Sequence, residues 1–185
     1  MKYINVILLF LLSIFYSNYS QADDLVISQL QRGGKIVFIR HSLAPGNGDP
    51  DNIDLKKCDT QRNLNQEGIE QSKKIGILFS DNNIQIDKVL SSEWCRCKET
   101  AKIAFKNFST NNFLNSFYSS KFAKNKNKQV KALKEYIKKF KSDKNLVLVT
   151  HYVLISEILN YGPSSGEIVV SNKNLNIIGS LEINY

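Results

Sequence analysis

The 185-residue sequence is most informative in what it lacks: it has two histidines, three cysteines, three prolines, one methionine and one tryptophan. The cysteines stand at positions 58, 95 and 97. A Cys-x-Cys pair with one distant companion does not fit the spacing of a structural zinc site, and two histidines cannot complete it. Neither a metal nor a cofactor is expected. Long apolar runs are also scarce. The one candidate, Val6 to Tyr16, is shorter than the ~20 residues a membrane-spanning helix needs. It follows the short basic end Met1-Lys2 and precedes Ser20-Gln21-Ala22. That is the layout of a secretory signal peptide cleaved after Ala22. Residues 1–22 are therefore expected to be a signal peptide and residues 23–185 a single domain in the periplasm or outside the cell, with no stable membrane insertion after cleavage. An oxidising compartment lets a disulfide persist, from Cys58 to either Cys95 or Cys97, leaving one odd thiol.

Acidic residues are in deficit: 17 against 25 lysines and arginines, for a formal charge of +8. Ten of the lysines fall between Lys121 and Lys144. No helix-turn-helix pattern or aromatic-interleaved groove accompanies them, so the stripe reads as a solvated helix face and no nucleic-acid partner is expected.

What is present is a series of compact apolar runs separated by helical patterns. Lys35 to Ile39, Lys88 to Leu90 and Leu146 to Val149 read as buried strands. Leu25, Ile27 and Leu30 suggest a short helix over 23–32, stopped by Gly33-Gly34. Asn65 can cap a helix starting near Gln66, with Ile69, Ser72, Ile75 and Phe79 facing inward. Further helices are expected from about Glu93 to Lys106 behind a serine cap, through Val130, Leu133, Ile137 and Phe140, and from about Val153 to Leu159. A closing hairpin fits Glu167–Ser171 and Asn174–Ile183, while Ser42 to about Asn63 and Phe113 to Phe122 fit no regular element. Alternating strands and helices predict a three-layer α/β/α sandwich around a mainly parallel sheet with an antiparallel edge.

Both histidines close an apolar strand, at Arg40-His41 and Thr150-His151. The carboxyl edge of a parallel sheet is where ligand crevices form. The strand ending at Ser91-Ser92 opens into a helix whose first turn carries Arg96. If the three strands are neighbours, two imidazoles and two guanidiniums converge on one electropositive crevice shaped for a tetrahedral dianion. Arg62 stands just before the helix capped by Asn65. It is open to two readings, a substrate contact from the rim and a surface arginine paired with a carboxylate.

The run Arg40-His41-Ser42 resembles the Arg-His-Gly signature of the histidine phosphatase superfamily, the phosphoglycerate-mutase-like group (branch 1). The stretch Ser91-Ser92-Glu93-Trp94-Cys95-Arg96-Cys97-Lys98-Glu99-Thr100-Ala101 is similar to that family's Ser-Ser-x-x-x-Arg-x-x-x-Thr-Ala. Leu64-Asn65-Gln66-Glu67-Gly68 resembles its helix entry, and Val149-Thr150-His151 its second histidine strand. The four elements fall in family order over about residues 34–183. The resemblance implies a phosphoglycerate-mutase-like fold and hydrolysis of a phosphate monoester or related small phosphorylated substrate. His41 would be the nucleophile that becomes phosphohistidine, and Arg40, Arg96 and His151 would hold the phosphoryl oxygens.

Two departures stand out. Ser42 replaces the family's glycine, which is tolerable if the backbone there is ordinary. The segment where many members carry a leaving-group glutamate reads Phe113-Leu114-Asn115-Ser116-Phe117, without a carboxylate. Asp49, Asp51 and Asp54 in the long loop and Glu167 after the last turn are substitute acids, though each also fits solvated turn chemistry. The acid can also be absent, as in members acting on good leaving groups such as phosphohistidine or acyl phosphate. An alternative expectation is a phosphate-ligand binding protein of the same fold with turnover weak or lost.

Overall fold

The computed structural model describes residues 22–184, so the expected signal segment lies outside the described residues except for Ala22. Helix α1 covers 22–32. There follow β1 (Ile36–Arg40), α2 (Gln66–Asp81), β2 (Ile86–Ser91), α3 (Cys95–Phe105), β3 (Ser109–Thr110), α4 (Ser120–Ala123) and α5 (Lys126–Lys139). The chain closes with β4 (Asn145–Thr150), α6 (Tyr152–Leu159), β5 (Ile168–Ser171) and β6 (Ile177–Leu181). The strands form one sheet in the order β3-β2-β4-β1-β5-β6. The first four of these run parallel, and β5 adds the antiparallel edge against β1.

The two central strands show why the sequence makes three layers. Val37, Ile39, Val147 and Val149 point to one face, where they meet Val26 and Leu30 of α1, Ile75 and Phe79 of α2, and Cys97 and Ala101 of α3. Ile36, Phe38, Leu146 and Leu148 point to the other, against Leu133 and Ile137 of α5 and Leu154, Ile155 and Ile158 of α6. Side chains alternate across a strand, so an unbroken apolar run can be buried only if helices cover both faces. All eight central side chains have no exposed surface, each contributing roughly 1.5–3 kcal/mol of burial.

Several elements differ from expectation. Leu25 is exposed, and the inner face of α1 is Val26 and Leu30, spaced i, i+4. In α2 the cap is as expected, with Asn65 accepting from the Gly68 N–H at 2.9 Å, but Gln71 rather than Ile69 is buried beside Ser72, Ile75 and Phe79. Helix α3 begins at Cys95, two residues late, behind Trp94 and without a side-chain cap. The Ser92 hydroxyl, the expected cap, is occupied by His151 and Asn115. The stretch expected to be irregular holds a 3-10 turn (Asn112–Leu114) and α4. The long loop holds one more 3-10 turn (Cys58–Thr60), and the two-residue strand β3 is paired with β2. These pieces are too short to show a period. Lys128, Lys131, Lys134, Lys138 and Lys139 lie on the exposed face of α5, opposite Leu133 and Ile137. A disulfide joins Cys58 to Cys95, and Cys97 is the buried free thiol.

Candidate active site

The strand order brings the carboxyl ends of β1, β4 and β2 side by side. Arg40 pairs with Thr150 across β1 and β4, and Ser91 pairs with Val149 across β2 and β4. His41 and His151 are therefore the first residues past two adjacent strand ends, and their rings lie 5.5 Å apart, edge to face. Both are buried. Arg96, one residue into α3, reaches back to the same point: its Nε donates to His41 Nε2 at 3.1 Å. Arg40, His41, Arg62, Arg96 and His151 all line one cavity, with Asp49, Asp51, Ser116, Tyr118, Lys121 and Tyr152 among its other walls.

The hydrogen bonds fix the state of the His41 ring. Nδ1 lies 2.8 Å from the Ser42 carbonyl, which can only accept, so Nδ1 carries the proton. Nε2, facing the Arg96 N–H, therefore holds the lone pair. Burial, and then the charge of Arg96, push both histidines well below the usual imidazole range, so both are neutral near pH 7. His151 Nε2 is 2.8 Å from Ser92 Oγ, whose own proton goes to Asn115 Oδ1 at 3.1 Å, so His151 donates to the serine. Asn115 is oriented in turn by Glu93, accepting from its N–H at 2.9 Å and donating to Oε2 at 2.6 Å. Ser92, Asn115 and Glu93 thus set the His151 tautomer. Nothing in the apolar runs signals this chain of contacts.

The cations differ in how far they are committed. Arg40 donates from Nη1 to the Pro163 carbonyl at 2.8 Å and lies over the Tyr152 ring, while its buried Nε meets no acceptor among the described residues. Arg62 is half-buried rather than on the surface. Its guanidinium donates to the carbonyls of Gly48, at 2.8 Å, and Ala44, and not to a carboxylate. Arg62 lines the cavity, as a substrate contact requires, and loop carbonyls rather than a carboxylate hold it, unlike the surface pair also offered by the sequence.

The four substitute acids separate. Glu167 is buried beneath the turn, where it accepts from Tyr161 at 2.5 Å and the Ser164 N–H at 2.6 Å, and it does not line the cavity. Asp54 accepts from the Lys56 N–H in the loop and is likewise outside. Asp51 is exposed on the cavity wall. Asp49 is inside, paired with Arg96 at 2.7 Å. Burial opposes its ionisation, but the hydrogen bonds and charge of Arg96 outweigh that and hold the carboxyl below the usual carboxylate range. It carries no proton to give at neutral pH. Ser116, where many relatives carry glutamate, lines the cavity as well.

Local backbone supports the arrangement. Ser42 lies outside the left-handed region, so a side chain is accommodated where the family has glycine. Its N–H donates to Thr100 Oγ1 at 3.1 Å. A Cβ on Gly68 would stand 2.1 Å from the Leu43 carbonyl oxygen, so only glycine lets the start of α2 rest on the chain just after His41. Cys97, 3.5 Å from His151 Nε2, is no nucleophile in this state, since burial pushes its thiol up to about 12.

Two neutral imidazoles and three guanidiniums thus line one cavity at the sheet's carboxyl edge. Residues 36–116 match the model of the histidine phosphatase superfamily (branch 1). Among solved structures it is similar to a protein from Agrobacterium tumefaciens assigned as the phosphohistidine phosphatase SixA. The two share 17% identity and a TM-score of 0.56 over 80% of this chain and 98% of the other. The phosphoglycerate mutase of Thermus thermophilus shares 13% identity, with a TM-score of 0.54, over 81% and 99% of the two chains. A phosphoserine phosphatase variant from Entamoeba histolytica, solved with phosphoserine, shares 18% with a TM-score of 0.53 over 74% and 89%. At these identities the likeness is one of fold. No curated protein matches the chain.

Proposed function

We propose that the chain is an exported phosphatase that takes a phosphoryl group onto Nε2 of His41 and acts on substrates with good leaving groups. The observation that carries this is the His41 ring itself. Its Nδ1–H is bound to the Ser42 carbonyl and its Nε2 lone pair is turned to the Arg96 N–H inside the cavity. In the first step the hydrogen bond from the Arg96 N–H passes to a phosphoryl oxygen, the freed lone pair attacks phosphorus in line, and the bond to the leaving group breaks with its electron pair. Positive charge develops on the ring, and the Ser42 carbonyl dipole at Nδ1 offsets it. Arg96 and Arg40 bear the phosphoryl oxygens, and His151 joins them by turning its Nε2–H from Ser92 to the incoming group. In the second step water attacks phosphorus, the P–N bond breaks, its electron pair returns to Nε2, and the water's proton leaves with phosphate or to solvent. Positioning and charge are most of what phosphoryl transfer asks of a protein, and side chains alone supply both here.

The choice of leaving group follows from the carboxylates. Asp49 is ionised by its pairing with Arg96, and no other acid is buried in the cavity wall. A nitrogen, acyl or aryl leaving group departs without a carboxylic acid, whereas a simple alkoxide does not. The SixA-like neighbour, by its name, acts on phosphohistidine, which is such a substrate. Export rests on the signal-peptide layout of residues 1–22 and on the Cys58–Cys95 disulfide, a bond that lasts in oxidising compartments.

The same missing acid favours a second reading, a protein that binds phosphorylated ligands without turning them over. One experiment separates the two. Hydrolysis of an aryl phosphate that continues in chelator, disappears in His41→Ala and leaves acid-labile phosphate on the quenched wild-type chain establishes the enzyme. Absence of turnover alongside tight vanadate binding establishes the binder.

A further inference from the structure

Among the three guanidiniums and two neutral imidazoles of the cavity stands a half-buried carboxylate, Asp49, which at first sight works against binding an anion. Its contacts suggest otherwise. Asp49 Oδ1 takes Arg96 Nη1 at 2.7 Å and Oδ2 takes Nη2 at 3.1 Å, a forked, end-on pair. The Arg62 carbonyl accepts from Nη1 at 3.2 Å. A guanidinium has five N–H groups and two edges able to grip an oxyanion, one end-on through both Nη atoms and one side-on through Nε and Nη2. With the end-on edge closed by Asp49, the side-on edge is the one turned to the reacting centre: its Nε–H donates to His41 Nε2 at 3.1 Å, a bond that an incoming phosphoryl oxygen takes over as the lone pair turns to phosphorus.

Asp49 is itself held. Trp94, buried at the start of α3, donates its indole N–H to Oδ2 at 3.0 Å, and the Arg62 backbone N–H donates to Oδ1 at 3.0 Å. Gly46 and Gly48 on its approach take φ of 92° and 70°, values that turn the loop into the cavity. The carboxylate sits on a braced mount, with only 13% of its side chain exposed. It also enters the charge of the pocket: Arg40, Arg62, Arg96 and Lys121 against Asp49 and Asp51 leave two positive charges, matching a phosphoryl dianion.

We propose that Asp49 is a positioning residue: it locks Arg96 end-on so that the Nε/Nη2 edge, and no other, faces the phosphoryl group on its way to His41. This rests on the phosphatase reading above. Removing a negative charge should help a dianion bind, while freeing Arg96 to swing should misplace the oxygens at the moment of transfer. Affinity and rate are thus expected to part company.

The test uses the full chain as wild type, Asp49→Asn, Arg96→Lys and the double variant, with aryl phosphate turnover, vanadate binding and thermal melting measured on each. In Asp49→Asn, kcat is expected to fall roughly tenfold to a hundredfold, the scale of a small misplacement of reacting groups. Vanadate should bind as tightly as before or more tightly. In the Arg96→Lys background the further change Asp49→Asn should lower kcat no more, because a residue acting through Arg96 has nothing left to act on. An unchanged kcat in Asp49→Asn would overturn the proposal. So would equal losses of kcat and vanadate affinity, or additive losses in the double variant, either of which marks a residue that only holds the loop. Should wild type show no turnover, the phosphatase reading fails by itself. The positioning is then judged by the Arg96 Nε–H signal in NMR: slow hydrogen exchange in wild type that becomes fast in Asp49→Asn supports it, and equal exchange refutes it.

Discussion

Removing the Cys58–Cys95 bridge by Cys58→Ser gives a sharp test of how the long loop is held. The bridge closes a 37-residue separation, for which the loss of unfolded-chain entropy amounts to about 4 kcal/mol of stabilisation at 25 °C. In a domain of this size each kcal/mol moves the melting temperature by roughly 2–4 °C, so the variant should melt roughly 8–16 °C lower. The choice of residue matters: Cys58 is exposed and Cys95 is 4% exposed, so serine at 58 opens no cavity. The folded loop keeps other ties at the same place. The Cys95 N–H donates to Gln61 Oε1 at 2.9 Å, and Asn63 Nδ2 donates to the Cys58 carbonyl at 2.6 Å. The native cavity should therefore survive, and turnover at 25 °C should change little while thermal stability falls. Calorimetric melting with and without a thiol reductant is the assay. Reductant should bring wild type down to the variant's midpoint and leave the variant unmoved. A variant melting within a degree or two of oxidised wild type would refute the reasoning, because the bridge would then not be limiting the unfolded chain.

Two further perturbations bear on the same region. The buried histidines take up protons only well below the ~6.5 of a free imidazole, so under acid the unfolded chain binds protons that the native one refuses. Stability should fall as pH drops below ~6.5, by at most about 1.4 kcal/mol per pH unit for each histidine, until the folded-state values are reached. The depressed Asp49 carboxyl adds a loss of the same sign below ~3.9. Urea denaturation midpoints across pH 8 to 4 check this, and a flat profile between 7 and 5 would show the imidazoles to be solvated. Gly68→Ala drives a Cβ into the Leu43 backbone carbonyl and should cost about 1–3 kcal/mol. The same carbonyl sits two residues past His41, so kcat should fall at temperatures where the variant is still folded. An alanine variant as stable and active as wild type would mean that the contact relaxes freely.

What could be read ahead of the structure divides along physical lines. The central strands were legible because burial on both faces demands unbroken apolar runs, and Val37-Phe38-Ile39 and Leu146-Val147-Leu148-Val149 are such runs. The convergence of His41, Arg96 and His151 was legible because strand ends and helix starts leave few places for those side chains to go. The loop was not. Asp49 belongs to a stretch whose path is set by two left-handed glycines, a bridge to α3 and a pair of carbonyls gripping Arg62, none of which leaves a period in the sequence. For the same reason Asp49, Asp51 and Asp54 looked alike as potential acids, although one is ion-paired in the cavity, one is exposed on its wall and one caps a turn outside it. Ser92 and Asn115 were invisible as a pair, since their contact joins the ends of elements 23 residues apart.

The division of labour between sheet and loop bears on how such a site can change. His41 and His151 are fixed by strand pairing that is itself buried on both faces, with the His41 N–H bonded to the Thr150 carbonyl at 2.9 Å. Moving either ring means moving the core, which close packing resists. Asp49 and Arg62, by contrast, arrive on a loop whose course depends on a handful of ties, and that loop also forms the cavity wall through Asn47, Pro50, Asp51 and Ile53. A substitution there can reshape the cavity wall without moving the His41 ring. It cannot, however, shift Asp49 without also releasing Arg96, because a single forked contact ties the two. The loop is therefore free to vary at its outer wall and constrained at one carboxylate, so changes of substrate should accumulate around Asp49 and not at it.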